Sequence, residues 1–127
     1  MELVRIYDNV LDKQVCADII HQFDNESKVY PGITRSGYFA DVKKTTDFSL
    51  NIDSNTSEAW KHIDDTLYTA LNTALTRYVS DIVDCEQKYS WVKSVKDTGF
   101  LIQKYDKGGG YYHYHDDFNA IIDNNII

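Results

Sequence analysis

The sequence predicts an α+β fold, with helices in the first two-thirds of the chain and strands dominating the last third. Three observations carry that expectation. Apolar residues repeat at helical spacing in two stretches, 15–23 and 60–82. After Cys85 the pattern alternates with the period of a strand. Glycine and aspartate then cluster between the late apolar runs, where chain reversals need them. A length of 127 residues fits one domain, 1–127, large enough for a core of its own.

In order along the chain, Leu3-Val4-Arg5-Ile6-Tyr7 reads as a short strand. A helix then starts at Asp12, whose carboxylate can accept from the free amides of the first turn. Leu11 before it and Cys16 after it have the spacing of a hydrophobic staple. Val15, Ile19 and Phe23 define the buried face, with Ile20 beside them and His21 on the polar side. Residues 25–37 hold Pro31, Gly32 and Gly37 and read as loop. Residues 38–50 are extended in character, with Lys43 and Lys44 expected on a solvated strand edge. Ser54-Asn55-Thr56-Ser57 offers several N-caps for a long helix striped by Trp60, Ile63, Leu67, Leu71, Ala74, Tyr78 and Ile82. His62 falls on its polar side, and the stripe reads as core packing. Trp91-Val92-Lys93-Ser94-Val95 is a strand, followed by Phe100-Leu101-Ile102-Gln103-Lys104-Tyr105. In the second run Phe100 and Ile102 share one side, with Leu101, Gln103 and Tyr105 on the other. Residues 106–110 form a turn and 111–117 are extended again. The closing Ile126-Ile127 is an apolar pair with β propensity, where a polar tail is more usual, and suggests a domain cut short.

A hydrophobic share of 43% and a charged share of 26% are those of an ordinary globular chain, and no stretch approaches a membrane span. Ten tyrosines suit a sheet with a half-polar interior. The two cysteines, Cys16 and Cys85, are too few for a disulfide framework, and Met1-Glu2-Leu3-Val4-Arg5 opens no signal-like apolar run. The expectation is a cytoplasmic protein with no membrane partner. A net charge of −7 excludes a general nucleic-acid binder, which needs basic excess to displace counterions from phosphates.

The residues that point to chemistry lie at 103–117. His115 and Asp117 are two apart, so on a strand they project to the same face and can grip one metal ion. With a second histidine they would complete the two-histidine, one-carboxylate face that holds non-haem iron and leaves positions open. The pair alone is weak: with four histidines in the chain, chance supplies roughly 0.5 His-x-Asp pairs. Its setting is rarer. A strand ending at Tyr105, a glycine-rich reversal through Gly108-Gly109-Gly110, and a return to His115 would bring the tyrosine back beside the histidine.

That segment resembles the metal-site segment of the Fe(II)/2-oxoglutarate-dependent dioxygenases, most closely the prolyl hydroxylase-like branch. The order of elements is similar too: a short strand, a helix opened by Leu11 to Cys16, and a long helix over 58–82 ahead of the core. The resemblance implies N-terminal helices packed on the first strands of a double-stranded β-helix, or jelly-roll, core. It implies His115 and Asp117 as the first two Fe(II) ligands and Tyr105 lining the pocket of the co-substrate 2-oxoglutarate. It also implies molecular oxygen and a small-molecule or peptidyl substrate hydroxylated at an aliphatic C–H. The family's distal histidine and basic co-substrate residue follow the motif. None of residues 118–127 is histidine, arginine or lysine, so both are expected beyond residue 127.

Duller assignments stand beside these. His115 and Asp117 could belong to a polar strand face, Tyr105 could be an aromatic at a strand end, and Tyr111, Tyr112 and Tyr114 could simply pack. His113-Tyr114-His115-Asp116-Asp117 also reads as His-x-His-x-Asp, the opening of a binuclear metal-dependent hydrolase motif. Phe118 then stands where that motif has a histidine. A third possibility is a non-catalytic remnant or interaction domain.

Overall fold

The computed structural model describes residues 4–82, 98–113, 121, 122, 125 and 126. Helix and strand are both present, as expected for α+β. Helix α1 spans Lys13–Asp24 and α2 spans Glu58–Asp81. Strands β1 (Tyr30–Pro31), β2 (Thr46–Leu50) and β3 (Phe100–Lys104) form one sheet in the order β1-β2-β3. β1 and β2 run antiparallel, with Tyr30 opposite Asp47 and Pro31 opposite Thr46. Pro31 cannot donate to a ladder, which fits its place on an edge strand. β4 (Ile121–Ile122) and β5 (Asn125–Ile126) make a separate antiparallel pair. The expected strand at 91–95 and Cys85 lie outside the described residues.

The chain divides into two compact units: Met1–Val29 with Phe48–Ile102, and Tyr30–Asp47 with Gln103–Ile127. In the first unit, Phe23, Phe48, Leu50, Trp60 and Ile63 form the buried core, with Ile19, Leu67, Phe100 and Ile102 packed against it. The Phe48 and Trp60 rings lie 4.7 Å apart between centroids and tilted by 31°. Burying side chains of this size contributes about 1.5–3 kcal/mol each. Both expected caps form. Asp12 accepts from the Val15 amide at 2.8 Å, and Ser57, the last of its four candidates, accepts from the Trp60 amide at 3.3 Å.

A hydrogen bond ties the segment just after α1 to α2: the Trp60 indole N–H donates to Glu26 Oε2 at 2.8 Å. Glu26 is held below its ordinary carboxyl pKa of 4.5, chiefly by the Lys28 backbone N–H and also by the Trp60 indole, while burial acts in the opposite direction.

Several expectations for this unit need correction. Residues 4–7 form no strand, and Val4 and Ile6 are exposed. Tyr7 instead docks on α2, its hydroxyl donating to Asp81 Oδ2 at 2.7 Å and its ring 4.6 Å from the Arg77 guanidinium. Ile20 and Cys16 are exposed, because the buried stripe of α1 is only as wide as Ile19 and Phe23. Leu71 is likewise exposed, so the apolar stripe of α2 meets the core mainly through its first turns. His21 and His62 are both exposed, as their polar-side positions predict.

The second unit has no comparable apolar cluster among its described residues. Strand β2 starts only at Thr46, and the Val42 and Lys43 amides ahead of it both donate to Phe39 O in a turn. Lys43 is not on a solvated edge. It is 4% exposed, and its ammonium donates to Asp47 Oδ2 at 2.8 Å and to Ile33 O at 3.4 Å. Asp47 is 1% exposed and also accepts from the Thr45 hydroxyl at 2.6 Å and the Gln103 amide at 3.3 Å. A buried charge is tolerable only when paired and hydrogen-bonded in this way. Gly32 is required beside the pair, since a Cβ there would overlap the Thr45 hydroxyl and press on the Lys43 side chain.

Candidate functional site

The segment leading to the predicted metal ligands is built from β3 outward. β3 ends at Lys104, and Tyr105 follows it with 46% of its surface exposed, so the side chain is reachable from solvent. The Gly109 amide donates to Asp106 O at 2.7 Å, closing a four-residue turn. Gly108 takes φ of +81°, the left-handed value that the third position of a type II turn requires and that glycine adopts without strain. The Tyr112 hydroxyl donates back to Gly108 O at 2.9 Å and braces the turn. The glycine reversal is therefore present at Gly108.

Beyond the turn the chain pairs with residues 42–44. Lys43 and Tyr111 form an antiparallel bridge, flanked by Lys44 N–H to Gly110 O and Tyr112 N–H to Val42 O, both 2.8 Å. These flanking bonds make Lys43 and Tyr111 a non-hydrogen-bonded pair, the kind in which side chains approach most closely. The Lys43 ammonium lies 6.0 Å from the centre of the Tyr111 ring. His113 is exposed at the end of this stretch.

His115 and Asp117, the two predicted Fe(II) ligands, lie outside the described residues, as does Tyr114. Among the described residues no group of three or more histidine, cysteine, aspartate or glutamate side chains could hold a metal ion. A second His-x-Asp, His62-Ile63-Asp64, falls on α2. Residues two apart on a helix diverge by about 200°, so this pair cannot share a face.

Sequence reasoning missed the Lys43–Asp47 pair. A lysine and an aspartate four apart suggest a helical pair, and nothing local says that the Asp47 side of β2 is covered. The first unit also carries an open groove of about 560 Å³ between residues 8–15 and α2, lined by Val10, Leu11, Val15, His62, Thr66 and Arg77 among others. No described helix is long and apolar enough to cross a membrane. No family model, no curated protein and no solved structure matches this chain.

Proposed function

We propose that the chain carries the metal-binding segment of a Fe(II)- and 2-oxoglutarate-dependent dioxygenase of the prolyl hydroxylase-like kind, on a double-stranded β-helix core. The observation that carries this is the passage from β3 through the Gly108 turn to the strand-like pairing at Gly110–Tyr112, in front of His115-x-Asp117. An imidazole and a carboxylate at that spacing are the right donors for Fe(II), and the set leaves room for a further histidine and for exchangeable positions. Bound there, the metal would couple conversion of 2-oxoglutarate and oxygen to succinate and carbon dioxide with hydroxylation of an aliphatic C–H.

The chain's own residues would serve that reaction in definite ways. His115 would present a ring nitrogen and Asp117 a carboxylate oxygen. Tyr105 would offer its phenol as a hydrogen-bond donor to a co-substrate carboxylate. The substrate is a small molecule or a peptidyl side chain.

The test is anaerobic titration of the full-length protein with Fe(II) and then 2-oxoglutarate. A visible charge-transfer band should appear on addition of the keto acid, and succinate should form once oxygen is admitted. His115→Ala and Asp117→Ala should abolish both signals while His113→Ala leaves them. Binding of two divalent ions that needs His113, with no response to the keto acid, would favour a metal-dependent hydrolase. Binding of neither metal nor keto acid would favour a non-catalytic domain.

A further inference from the structure

We propose that the groove between residues 8–15 and α2 binds a linear aliphatic polyamine, an alkyl chain carrying several ammonium groups. The inference does not rest on the dioxygenase proposal.

The floor of the groove is one face of α2. Its lining residues from His62 to Arg77 recur three or four apart, which puts them on a single side of the helix. The floor therefore runs about 22 Å at the rise of an α-helix. The volume of about 560 Å³ lies within the range of small-molecule sites. That length with that volume suits a thin, extended ligand.

The lining selects for positive charge and for hydrogen-bond donors. Its carboxylates are Asp8, Asp12 and Asp65, against the single guanidinium of Arg77 among the described residues. That guanidinium is turned to the Tyr7 ring, 4.6 Å from its centre. The net charge of −7 adds a long-range field that draws cations to the chain. The threonines of the floor add acceptors. The hydroxyls of Thr66, Thr69 and Thr73 donate to the carbonyls of His62, Asp65 and Thr69, at 2.8, 2.8 and 2.9 Å. Each hydroxyl proton is thereby held within the helix, and what remains for a ligand is an oxygen lone pair.

An alkyl ammonium supplies donors and no acceptor, which is the complement of such a surface. A peptide brings as many backbone carbonyls as amides, and the lining threonines and carboxylates offer those carbonyls no proton. Val10, Leu11 and Val15 line the wall facing α2, where they would cover the methylenes between ammonium groups.

The experiment is calorimetric titration of spermidine into the full-length protein, with Mg²⁺ as a cation that has charge and no alkyl chain. Spermidine should bind at one site and at least tenfold more tightly than Mg²⁺. Asp65→Asn removes a groove carboxylate and should weaken spermidine at least fivefold. Asp41→Asn removes one exposed charge in the second unit and should change the affinity less than twofold. Ala70→Leu keeps every charge, puts a good helix former on the floor and fills the groove, and should weaken binding at least tenfold. Ala74→Leu serves the same purpose should that variant not fold.

The proposal is overturned by no spermidine binding, by equal affinities for spermidine and Mg²⁺, by equal losses in Asp65→Asn and Asp41→Asn, or by full binding with the groove filled. A trilysine peptide that binds at least tenfold more tightly than spermidine also overturns it, in favour of a docking site for basic peptide segments.

Discussion

The two units bury opposite kinds of chemistry. In the first, the interior is aromatic and aliphatic, built on Phe23, Phe48, Leu50, Trp60 and Ile63. In the second, the most buried charged groups are a lysine and an aspartate, 4% and 1% exposed. The strand β2 supplies both kinds, giving Asp47 to one unit and Phe48 and Leu50 to the other. An apolar core gains stability from area and tolerates exchange among residues of similar volume. A buried ion pair adds little net stability but penalises every arrangement that breaks it. The first unit is thus built for stability and the second for specificity of arrangement.

Four outcomes would sharpen or break that contrast, the largest first. Lys43→Met alone, or Asp47→Asn alone, leaves one buried charge without its counter-ion and should cost about 3–5 kcal/mol in urea unfolding. The double variant should recover most of that loss, and a double variant as unstable as the singles would refute the pair's role. Trp60→Ala should cost a comparable ~3–5 kcal/mol through the cavity it leaves. Pairing it with Phe48→Ala should bring no recovery, because two cavities do not compensate as two opposite charges do.

Ser57→Ala should cost about 1 kcal/mol by removing the acceptor for the Trp60 amide. The last effect is a pH dependence. The Glu26 carboxyl is held below its ordinary 4.5 in the folded protein, so its contribution is fully present above that value. The contribution is lost as pH falls through the folded-state pKa, because the unfolded chain then binds the proton more readily. The difference in thermal midpoint between the unmodified protein and Glu26→Gln should therefore be flat above pH 4.5 and shrink below it. A difference that grows with acid would reverse the assignment.

The same contrast explains what the sequence disclosed. The long helix, its Ser57 cap, the Asp12 cap and the inward side of β3 were legible, because each rests on spacing within a few residues. Phe100 and Ile102 pack on the core as alternation predicts. The strand expected at 4–7 was not legible, because apolar alternation does not say whether a partner strand exists. Lys43 was misjudged for a related reason. It faces Tyr111, and its partner Asp47 is held by Gln103, both some sixty residues on, and no local pattern records that. Of the candidate site, the turn at Gly108 was legible because only glycine adopts its φ readily. Its partner at 42–44 was not, since a bridge of this kind depends on long-range placement.

The central claim is that His115 and Asp117 hold Fe(II) for a reaction that consumes 2-oxoglutarate. The most direct measurement is the anaerobic visible spectrum of the full-length protein with Fe(II) and 2-oxoglutarate, recorded beside His115→Ala and His113→Ala. The account predicts a charge-transfer band in the unmodified protein and in His113→Ala, and none in His115→Ala. A band that survives His115→Ala, or no band in the unmodified protein, would contradict it.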